Sequence, residues 1–413
     1  MVSLLLRYTK WNKYSFAALI GALEVDTRLK NLKVSFLTNV FQDIQQVLDE
    51  EGFCIVAYSI LSTQFLNVKE EVKKIREKFK DSVFLVAGGP HVTARPKQVL
   101  EAGFNVAVIG EGEKSFPELL YKISEGEDWR NIPGIAFLES PNKLQLNLPE
   151  KIVNLNDYPP FSPKYGLFSP IEISRGCPFG CKMCQTSRIF GFKMRHRSIE
   201  CIVKWVKIAV KRGYDKMWFI SPNSFAYGSS SGRKPEPEKI EKLLKSISEV
   251  EGLKGIYFGT FPSEVRPEFV TKEVLDVVSK YVSNDRIIVG AQSGSQRILN
   301  IINRGHTVED VFLAVDNLID YGFVPDIDLI FGFPFENDED RKLTLDMIKY
   351  LISKGCRIHA HIFMPLPGTP FENYPPGKID SKTKKVLGDL ARRGLLYGSW
   401  AVQEKLAIML SKL

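Results

Sequence analysis

Three cysteines lie within eight residues of one another, in the segment Cys177-Pro-Phe-Gly-Cys181-Lys-Met-Cys184. The other three, Cys54, Cys201 and Cys356, are dispersed along the chain. A compact group of thiols in a long chain is more typical of metal binding than of disulfide formation. Because iron–sulfur cubes are normally held by four thiolates, three at C-x3-C-x2-C spacing indicate a [4Fe–4S] cluster with one iron left open for a small ligand. Structural zinc is the alternative, with His196 or Cys201 as the fourth ligand.

The cysteine segment directly follows a short predicted strand, and five more strands alternate with helices after it. Six β/α units in about 200 residues predict a partial (β/α)6 barrel. A final helical segment is predicted at Lys382–Leu413. The six predicted strands are Ile171–Ser174, Lys216–Ile220, Gly255–Gly259, Arg286–Val289, Asp326–Ile330 and Arg357–Phe363.

The amino-terminal part also alternates apolar strands with amphipathic helices, which predicts an α/β fold with a doubly wound, Rossmann-like parallel sheet. Ligands bind such sheets beyond the carboxyl ends of the strands. Paired glycines follow two of these predicted strands, in Gly88-Gly89-Pro90 and Gly110-Glu111-Gly112. They would let the backbone approach a flat cofactor closely, although tight strand-to-helix turns would use the same residues.

These patterns divide the chain into four parts. We predict a Rossmann-like domain over residues 1–128, a proline-rich linker with a small hairpin over 129–164, the partial barrel over 165–375, and the helical segment over 376–413.

The composition is that of an ordinary globular chain of 413 residues, 44% hydrophobic and 25% charged. It excludes extensive disorder, a collagen-like repeat and a coiled coil. The formal net charge of +8 decides neither for nor against anionic partners. No apolar run reaches the length of a membrane span, and Met1–Arg7 lacks the features of a signal peptide, so a cytoplasmic location is expected.

Further motifs along about 190 residues make the chain resemble the radical S-adenosylmethionine (SAM) superfamily, and specifically its cobalamin-dependent branch. The matching segments are the cysteine loop, the basic stretch Phe192–Ser198, Gly290-Ala-Gln292-Ser293-Gly294-Ser295 with Arg297-Ile-Leu299, Ile330-Phe-Gly332-Phe-Pro334-Phe-Glu336 and Pro365-Leu-Pro367-Gly368-Thr369-Pro370.

The resemblance implies that Cys177, Cys181 and Cys184 bind the cluster and that its open iron binds SAM. An injected electron would then cleave SAM to methionine and a 5′-deoxyadenosyl radical. Two features depart from the superfamily pattern: Met183 replaces a usual aromatic residue, and the segment around Asn223 lacks the acidic pair of many relatives. The implied SAM contacts are Met183, Asn223, Gln292, Ser293, Ile330 and Phe333.

The glycine-rich turns of the first domain resemble those of the cobalamin-binding domain that precedes the radical domain in one large subclass. The chain lacks the Asp-x-His-x-x-Gly motif whose histidine replaces the base of cobalamin on cobalt. We therefore expect no histidine ligand by that route, and His91 is interpreted as a loop residue rather than a cobalt ligand. The candidate cobalamin contacts are Ser59, Thr63, Gly88, Gly89, Pro90, His91, Gly110, Glu111 and Gly112.

His359 and His361 are two residues apart in a predicted strand, so they share one face of it. Asp326 and Asp328 repeat the pattern one strand earlier. If these faces look into the barrel, His359, His361 and Asp328 are candidate catalytic residues that could hold a substrate or shuttle a proton. Hydrogen-bonded core histidines are the competing interpretation.

The resemblance implies a cobalamin-dependent radical SAM enzyme that methylates an unactivated carbon, or cyclises or rearranges its substrate. Its cofactors would be a [4Fe–4S] cluster, SAM and cobalamin. Its partner would be a low-potential electron donor such as flavodoxin or ferredoxin. No feature indicates nucleic-acid or membrane binding. The alternatives are a radical SAM methylthiotransferase-like enzyme, which would call for a second three-cysteine cluster, and a non-catalytic zinc-stabilised corrinoid-binding protein.

Overall fold

The computed structural model describes residues 2–141, 143–149 and 152–412. It contains two compact units, one ending at Ser169 and one beginning at Pro170. Within the described residues, no helix has both the length and the apolar character needed to cross a membrane.

The first unit is built on a seven-stranded sheet in the order β2-β1-β3-β4-β5-β6-β7. Strands β1 to β5 are parallel, and every residue of β1 and β3 is buried, as expected for strands covered on both faces. The strands are β1 (Ser3–Leu6), β2 (Lys33–Phe36), β3 (Cys54–Ser59), β4 (Val83–Gly88), β5 (Val106–Val108), β6 (Ile135–Ser140) and β7 (Lys143–Asn147).

Six helices connect these strands, and the apolar faces of α1 and α6 pack on the sheet through Phe16, Ile20 and Leu119. The helices are α1 (Lys13–Val25), α2 (Val40–Glu51), α3 (Phe65–Phe79), α4 (Pro90–Ala94), α5 (Pro96–Glu101) and α6 (Gly112–Glu125).

The small hairpin predicted within residues 129–164 is present as β6 and β7, and it is part of the sheet of the first unit. Strand β6 pairs antiparallel with β5, Ala107 opposite Ala136. The prolines break up this segment, yet the hairpin between them still reaches an edge strand. The division of the chain into four parts, made from its sequence patterns, stays a prediction.

The second unit is an arc of parallel strands with helices between them. Its sheets have the orders β12-β11-β8 and β13-β14-β15-β16. The arc continues between them, because the Ile288 amide donates to the Gly259 carbonyl oxygen over 2.8 Å. These strands are β8 (Ile171–Glu172), β11 (Lys216–Ile220), β12 (Gly255–Tyr257), β13 (Arg286–Gln292), β14 (Val324–Phe331), β15 (Arg357–Ile362) and β16 (Leu396–Tyr397), with β9 (Ser174–Arg175) and β10 (Arg195–His196) as a separate antiparallel pair.

Two of the helices in the second unit begin with reciprocal capping boxes, formed by Thr307 with Asp310 and by Asn337 with Asp340. The helices are α7 (Thr186–Phe190), α8 (Ile199–Lys211), α9 (Pro237–Ser248), α10 (Lys272–Val278), α11 (Gln296–Ile301), α12 (Val308–Asp320), α13 (Asp338–Ser353), α14 (Ser381–Arg392) and α15 (Trp400–Leu410).

The prediction of one continuous helical segment from Lys382 was wrong. The segment is split into α14 and α15 by the short strand β16, which pairs with β15. Gly394 and Gly398, with φ of 72° and 120°, flank this strand in backbone conformations that end a helix. The interruption carries Tyr397 and Gln403 to the end of the arc.

Candidate functional site

The three clustered cysteines lie in the loop between β9 and α7. Backbone bonds wrap this loop closely: the Cys177 amide donates to the Gly191 carbonyl oxygen over 3.1 Å, and the Cys184 amide to the Cys181 carbonyl oxygen over 3.0 Å. None of the three thiols is in a disulfide. The loop therefore offers three free thiols, the donor set that a cluster with one open iron needs.

The structure does not assemble the zinc alternative. In the part of the chain that is described, no set of three or more metal-ligating side chains that includes these cysteines has its donor atoms within 4.8 Å of one another. His196 is engaged at both ring nitrogens, 2.8 Å from the Ser174 hydroxyl and 3.0 Å from the Ser229 carbonyl oxygen. The three sulfur atoms are thus farther apart than they would be around a single ion. This spacing fits an iron–sulfur cluster, in which each cysteine binds a different iron.

Two arginines surround the Cys181 sulfur. Arg304 Nη1 lies 3.7 Å and Arg266 Nη1 lies 3.9 Å from Sγ. Arg266 is 3% exposed and stacks on the Phe179 ring at 3.5 Å, while Arg304 Nη2 donates to the Gly290 carbonyl oxygen over 2.6 Å. Their charges would stabilise the negative charge of thiolates and of a reduced cluster. Sequence analysis missed these two arginines, because Arg266 and Arg304 are 85 and 123 residues from Cys181 and belong to no motif.

Gly176, just before the first cysteine, is required by both its backbone and its surroundings. Its φ is 86°, and a Cβ there would lie 2.3 Å from the Lys193 carbonyl oxygen. We expect Gly176→Ala to lower iron incorporation at least tenfold, because the loop must move to relieve this contact. Iron per chain after anaerobic reconstitution measures the effect.

Gly191→Ala is the matched control. Gly191 has a similar φ of 83°, but a Cβ there meets nothing within 4 Å, so only backbone strain of about 1–3 kcal/mol is added. Equal iron loss in the two variants would show that backbone strain, and not the contact with Lys193, governs the loop.

A cavity of about 240 Å³ lies at the carboxyl ends of the barrel strands. Three of the predicted SAM contacts, Met183, Gln292 and Ile330, line it together with two of the candidate catalytic residues, Asp328 and His361. Gln292 sits at a bulge of β13 with φ of 73°, a left-handed conformation that is uncommon for a residue other than glycine. Strained backbone of this kind clusters at ligand sites.

The other three predicted SAM contacts are buried and are not among the residues that line the cavity. Phe333 is 3% exposed and belongs to an apolar cluster with Phe363, and the Ser293 hydroxyl accepts a hydrogen bond from the Ser295 amide over 3.1 Å. Asn223 is 1% exposed, and its Nδ2 has no hydrogen-bond partner. Phe333 thus packs in the cluster that contacts the cavity residues Met183 and Ile330, while the Asn223 side-chain amide keeps a buried donor without a partner.

The candidate catalytic residues meet on one wall of the cavity, since Asp328 on β14 pairs in register with His359 on β15. His359 Nδ1 lies 2.8 Å from Asp328 Oδ1, and His361 Nε2 lies 3.2 Å from His359 Nδ1. The Tyr397 ring stacks on His359 with centroids 4.4 Å apart, and Gln403 Nε2 lies 3.3 Å from His361 Nδ1. Sequence analysis missed Tyr397 and Gln403, because it assigned the carboxyl-terminal segment to a single helix.

Glu264 lines the same cavity beside Asp328, and it too was missed, because it lies in a loop without a motif. The Glu264 side chain is exposed to the cavity and surrounded there by residues of the barrel. Burial, reinforced by the neighbouring Asp328 charge, raises the pKa of Glu264. Burial opposes ionisation of Asp328 as well, but hydrogen bonds from His359 and His361 outweigh it and hold the pKa of Asp328 below its usual value. The wall thus places a carboxyl of raised pKa, Glu264, beside one of lowered pKa, Asp328.

In the first unit, the strand order reverses between β1 and β3, which is where open α/β sheets bind ligands. Ser59 and Gly88 are in register at the ends of β3 and β4, and Gly110 follows β5. A Cβ on Gly110, whose φ is 71°, would meet nothing within 4 Å. The space beyond the ends of β3, β4 and β5, which we call the crevice, is open at Gly110 and is where a flat cofactor would bind.

Two of the candidate cobalamin contacts have other roles. His91 lies in α4 and not in a loop, as had been expected; it is fully buried, stacks on Phe65 at 4.2 Å and has its pKa lowered to about 4 by burial, so it packs inside the unit. The Glu111 carboxylate accepts a hydrogen bond from the Val153 amide over 3.1 Å. Thr63, Gly89, Pro90 and Gly112 are partly exposed.

Sequence analysis overlooked the segment that follows β1, where the strand order reverses. There the Asn12 side-chain amide donates to the Arg7 carbonyl oxygen over 2.9 Å, which orders the turn between β1 and α1. The position of this segment, directly after the first strand of a doubly wound sheet, was the signal from which a ligand-binding role could have been predicted.

Comparison with known proteins matches both units. The sequence profile of the B12 binding domain matches residues 7–120, and that of the Radical SAM superfamily matches residues 171–348. The solved structure of the radical S-adenosylmethionine methyltransferase TsrM from Kitasatospora setae, with cobalamin and a [4Fe–4S] cluster bound, superposes with a TM-score of 0.69 at 16% identity, covering 91% of this chain and 74% of that one. At this identity the likeness establishes the fold.

Two sequence relatives cover most of the chain. A protein of Pyrococcus horikoshii named as an uncharacterized methyltransferase is 27% identical, with 81% of this chain and 72% of that one covered. A protein of Methanocaldococcus jannaschii named as a methylthiotransferase is 29% identical, with 76% and 68% covered. The two domain matches confirm the expected Rossmann-like domain and radical SAM barrel, and the expected cofactors: a [4Fe–4S] cluster, SAM and cobalamin.

Proposed function

Because the chain joins a B12 binding domain to a domain of the radical SAM superfamily and is thereby a radical SAM enzyme, we propose that it transfers a methyl group to an unactivated carbon of its substrate. The cavity of the barrel is the observation that supports this best. It sets three candidate SAM contacts, Met183, Gln292 and Ile330, beside a polar wall that includes Asp328 and His361. A substrate bound against that wall would lie next to the adenosyl group.

The chain contributes binding, charge and exclusion of water. Cys177, Cys181 and Cys184 would hold the cluster, and Arg304 and Arg266 would offset its negative charge. When bound, the cluster supplies the electron that cleaves SAM to a 5′-deoxyadenosyl radical, and cobalamin supplies the methyl group.

The polar wall would hold the substrate. Because its pKa is raised, Glu264 holds its proton to higher pH than an ordinary carboxyl and can then donate a hydrogen bond, while the Asp328 carboxylate accepts one. Apolar residues that also line the cavity, Ile362, Phe363 and Leu366, would keep water from a radical. A low-potential reductant such as flavodoxin or ferredoxin would complete the system.

A methylthiotransferase is the second candidate, favoured by the Methanocaldococcus relative. It would need a second three-cysteine cluster. In the first unit the sequence offers only Cys54, which is fully buried and whose thiol pKa burial raises to about 12. This observation favours the methyltransferase.

The two candidates differ in their need for cobalamin. We expect reconstituted full-length protein with dithionite and SAM to form 5′-deoxyadenosine, and to form S-adenosylhomocysteine only when hydroxocobalamin is added. Mass spectrometry measures both products. S-adenosylhomocysteine at equal rates with and without cobalamin would exclude the proposed methyl transfer.

The crevice of the first unit predicts the effect of one substitution on cobalamin binding. We expect Gly110→Asn to raise the dissociation constant of hydroxocobalamin at least tenfold, because its side chain enters the space that is open at this position. Asparagine tolerates the positive φ of this residue, so the fold is retained. The visible spectrum of bound cobalamin gives the constant.

Gly126→Asn is the control. Gly126 has the same φ of 71° and equally open surroundings, but it ends α6. Its dissociation constant should stay within twofold of the wild-type value. If the two variants bind alike, cobalamin does not occupy the space beside Gly110.

A further inference from the structure

The wall of the barrel cavity holds a second set of metal-ligating side chains, separate from the cysteine loop. Asp328, His359 and His361 form the one group of three or more such residues whose donor atoms converge, among the residues that the structure describes. Their convergence follows from strand pairing: Asp328 is opposite His359 and Ile330 is opposite His361, so the two imidazoles share a face with the carboxylate beside them.

The separations of the three donor atoms fit a single cation. Asp328 Oδ1, His359 Nδ1 and His361 Nε2 are 2.8, 3.2 and 3.9 Å from one another. A triangle with these sides has, in its own plane, a point about 2.0 Å from all three corners, and this is the distance at which Zn²⁺ binds nitrogen and oxygen. Small rotations of the two partly exposed imidazoles would lift the cation out of that plane into a tetrahedral arrangement.

Hydrogen bonding can use only one of the two close contacts that His359 Nδ1 makes. His359 Nδ1 lies within hydrogen-bonding distance of both Asp328 Oδ1 and His361 Nε2. A ring nitrogen offers either one proton or one lone pair, so it can satisfy one of these contacts and not both. A cation between the three atoms would use one lone pair from each of them.

We propose that Asp328, His359 and His361 bind a divalent metal cation, such as Zn²⁺ or Fe²⁺, at the wall of the cavity. Two imidazoles and one carboxylate are a donor set that these metals favour, and it leaves coordination positions open. The carboxylate is 4% exposed, while the imidazoles keep 26% and 29% of their surface accessible, and Asp328 and His361 line the cavity.

Two neighbours hold the ligands in place. The Tyr397 ring lies parallel to His359, at 2°, and fixes the plane of that imidazole. Gln403 lies beside the second nitrogen of His361, and its Oε1 accepts a hydrogen bond from the Ile362 amide over 2.9 Å.

The open positions define the class of substrate group that the cation would hold. Such a metal binds carboxylate, hydroxyl or amine groups, so the substrate would carry one of these close to the carbon that reacts. This role rests on the proposed function, whereas binding of the metal does not.

The test is made on the full-length, cluster-loaded protein equilibrated with Zn²⁺ and desalted, without SAM or turnover. We expect one zinc per chain besides the cluster iron, and X-ray absorption at the zinc edge should show two imidazoles, oxygen ligands and no sulfur. Absence of zinc, or sulfur among its ligands, would overturn the proposal whatever the outcome of the methyl-transfer assay.

Substitutions locate the zinc. Asp328→Asn and His361→Asn should lower zinc per chain at least tenfold while the iron content, which reports the fold, stays unchanged. Tyr397→Phe keeps the ring against His359 and should retain the zinc. Zinc that persists in both ligand variants would also overturn the assignment.

Discussion

Replacing Cys181 by alanine should abolish formation of 5′-deoxyadenosine. The sulfur of Cys181 is the one that both Arg266 and Arg304 approach, at 3.9 and 3.7 Å. Its loss removes one of three thiolates and the anionic group that Arg304 approaches, whereas Arg266 keeps its ion pair with Glu268 at 2.6 Å. We expect the rate of SAM cleavage to fall below detection and the iron content to fall with it.

Cys201→Ala is the control for this variant. Cys201 is outside the loop, at the start of α8, with its sulfur 3.6 Å from Arg197. It should retain both iron and SAM cleavage. A Cys181→Ala protein that still made 5′-deoxyadenosine, or a Cys201→Ala protein that did not, would contradict the assignment of the cluster ligands.

Replacing Arg304 by methionine should slow SAM cleavage without removing the cluster. Arg304 touches Cys181 through Nη1 but is not itself a ligand, so iron should remain bound. Removal of a positive charge disfavours the more negative, reduced cluster. We expect its midpoint potential to become more negative by about 60 mV, which corresponds to tenfold in a one-electron equilibrium.

Potentiometric titration followed by electron paramagnetic resonance measures this shift. Arg304→Lys keeps the charge but loses the forked guanidinium, so its potential should stay closer to that of the wild type. If Arg304→Met and Arg304→Lys shift the potential equally, the role of Arg304 is its hydrogen bond to the Gly290 carbonyl oxygen and not its charge.

Local spacing in the sequence carried much of what could be predicted. The three thiols of Cys177, Cys181 and Cys184 come together because four-residue and three-residue intervals of one loop cannot separate them widely. Strand periodicity likewise placed His359 and His361 on one face, and apolar runs predicted six of the seven strands of the arc, the first of which ends at Glu172 and not at Ser174. Such features depend on residues that are neighbours in the chain, so the sequence by itself determined them.

Contacts between distant segments were decided by the tertiary structure. Arg266 and Arg304 reach Cys181 from other loops, and Glu264 meets Asp328 at the wall of the cavity. Tyr397 reaches His359 because β16 joins the edge of the arc, where a continuous helix had been predicted. No local periodicity encodes these pairings, since they follow from which strands become neighbours and in what register. The sequence thus determined the two domains and the cluster loop, and packing alone decided which charges and ring nitrogens surround the cluster and the cavity.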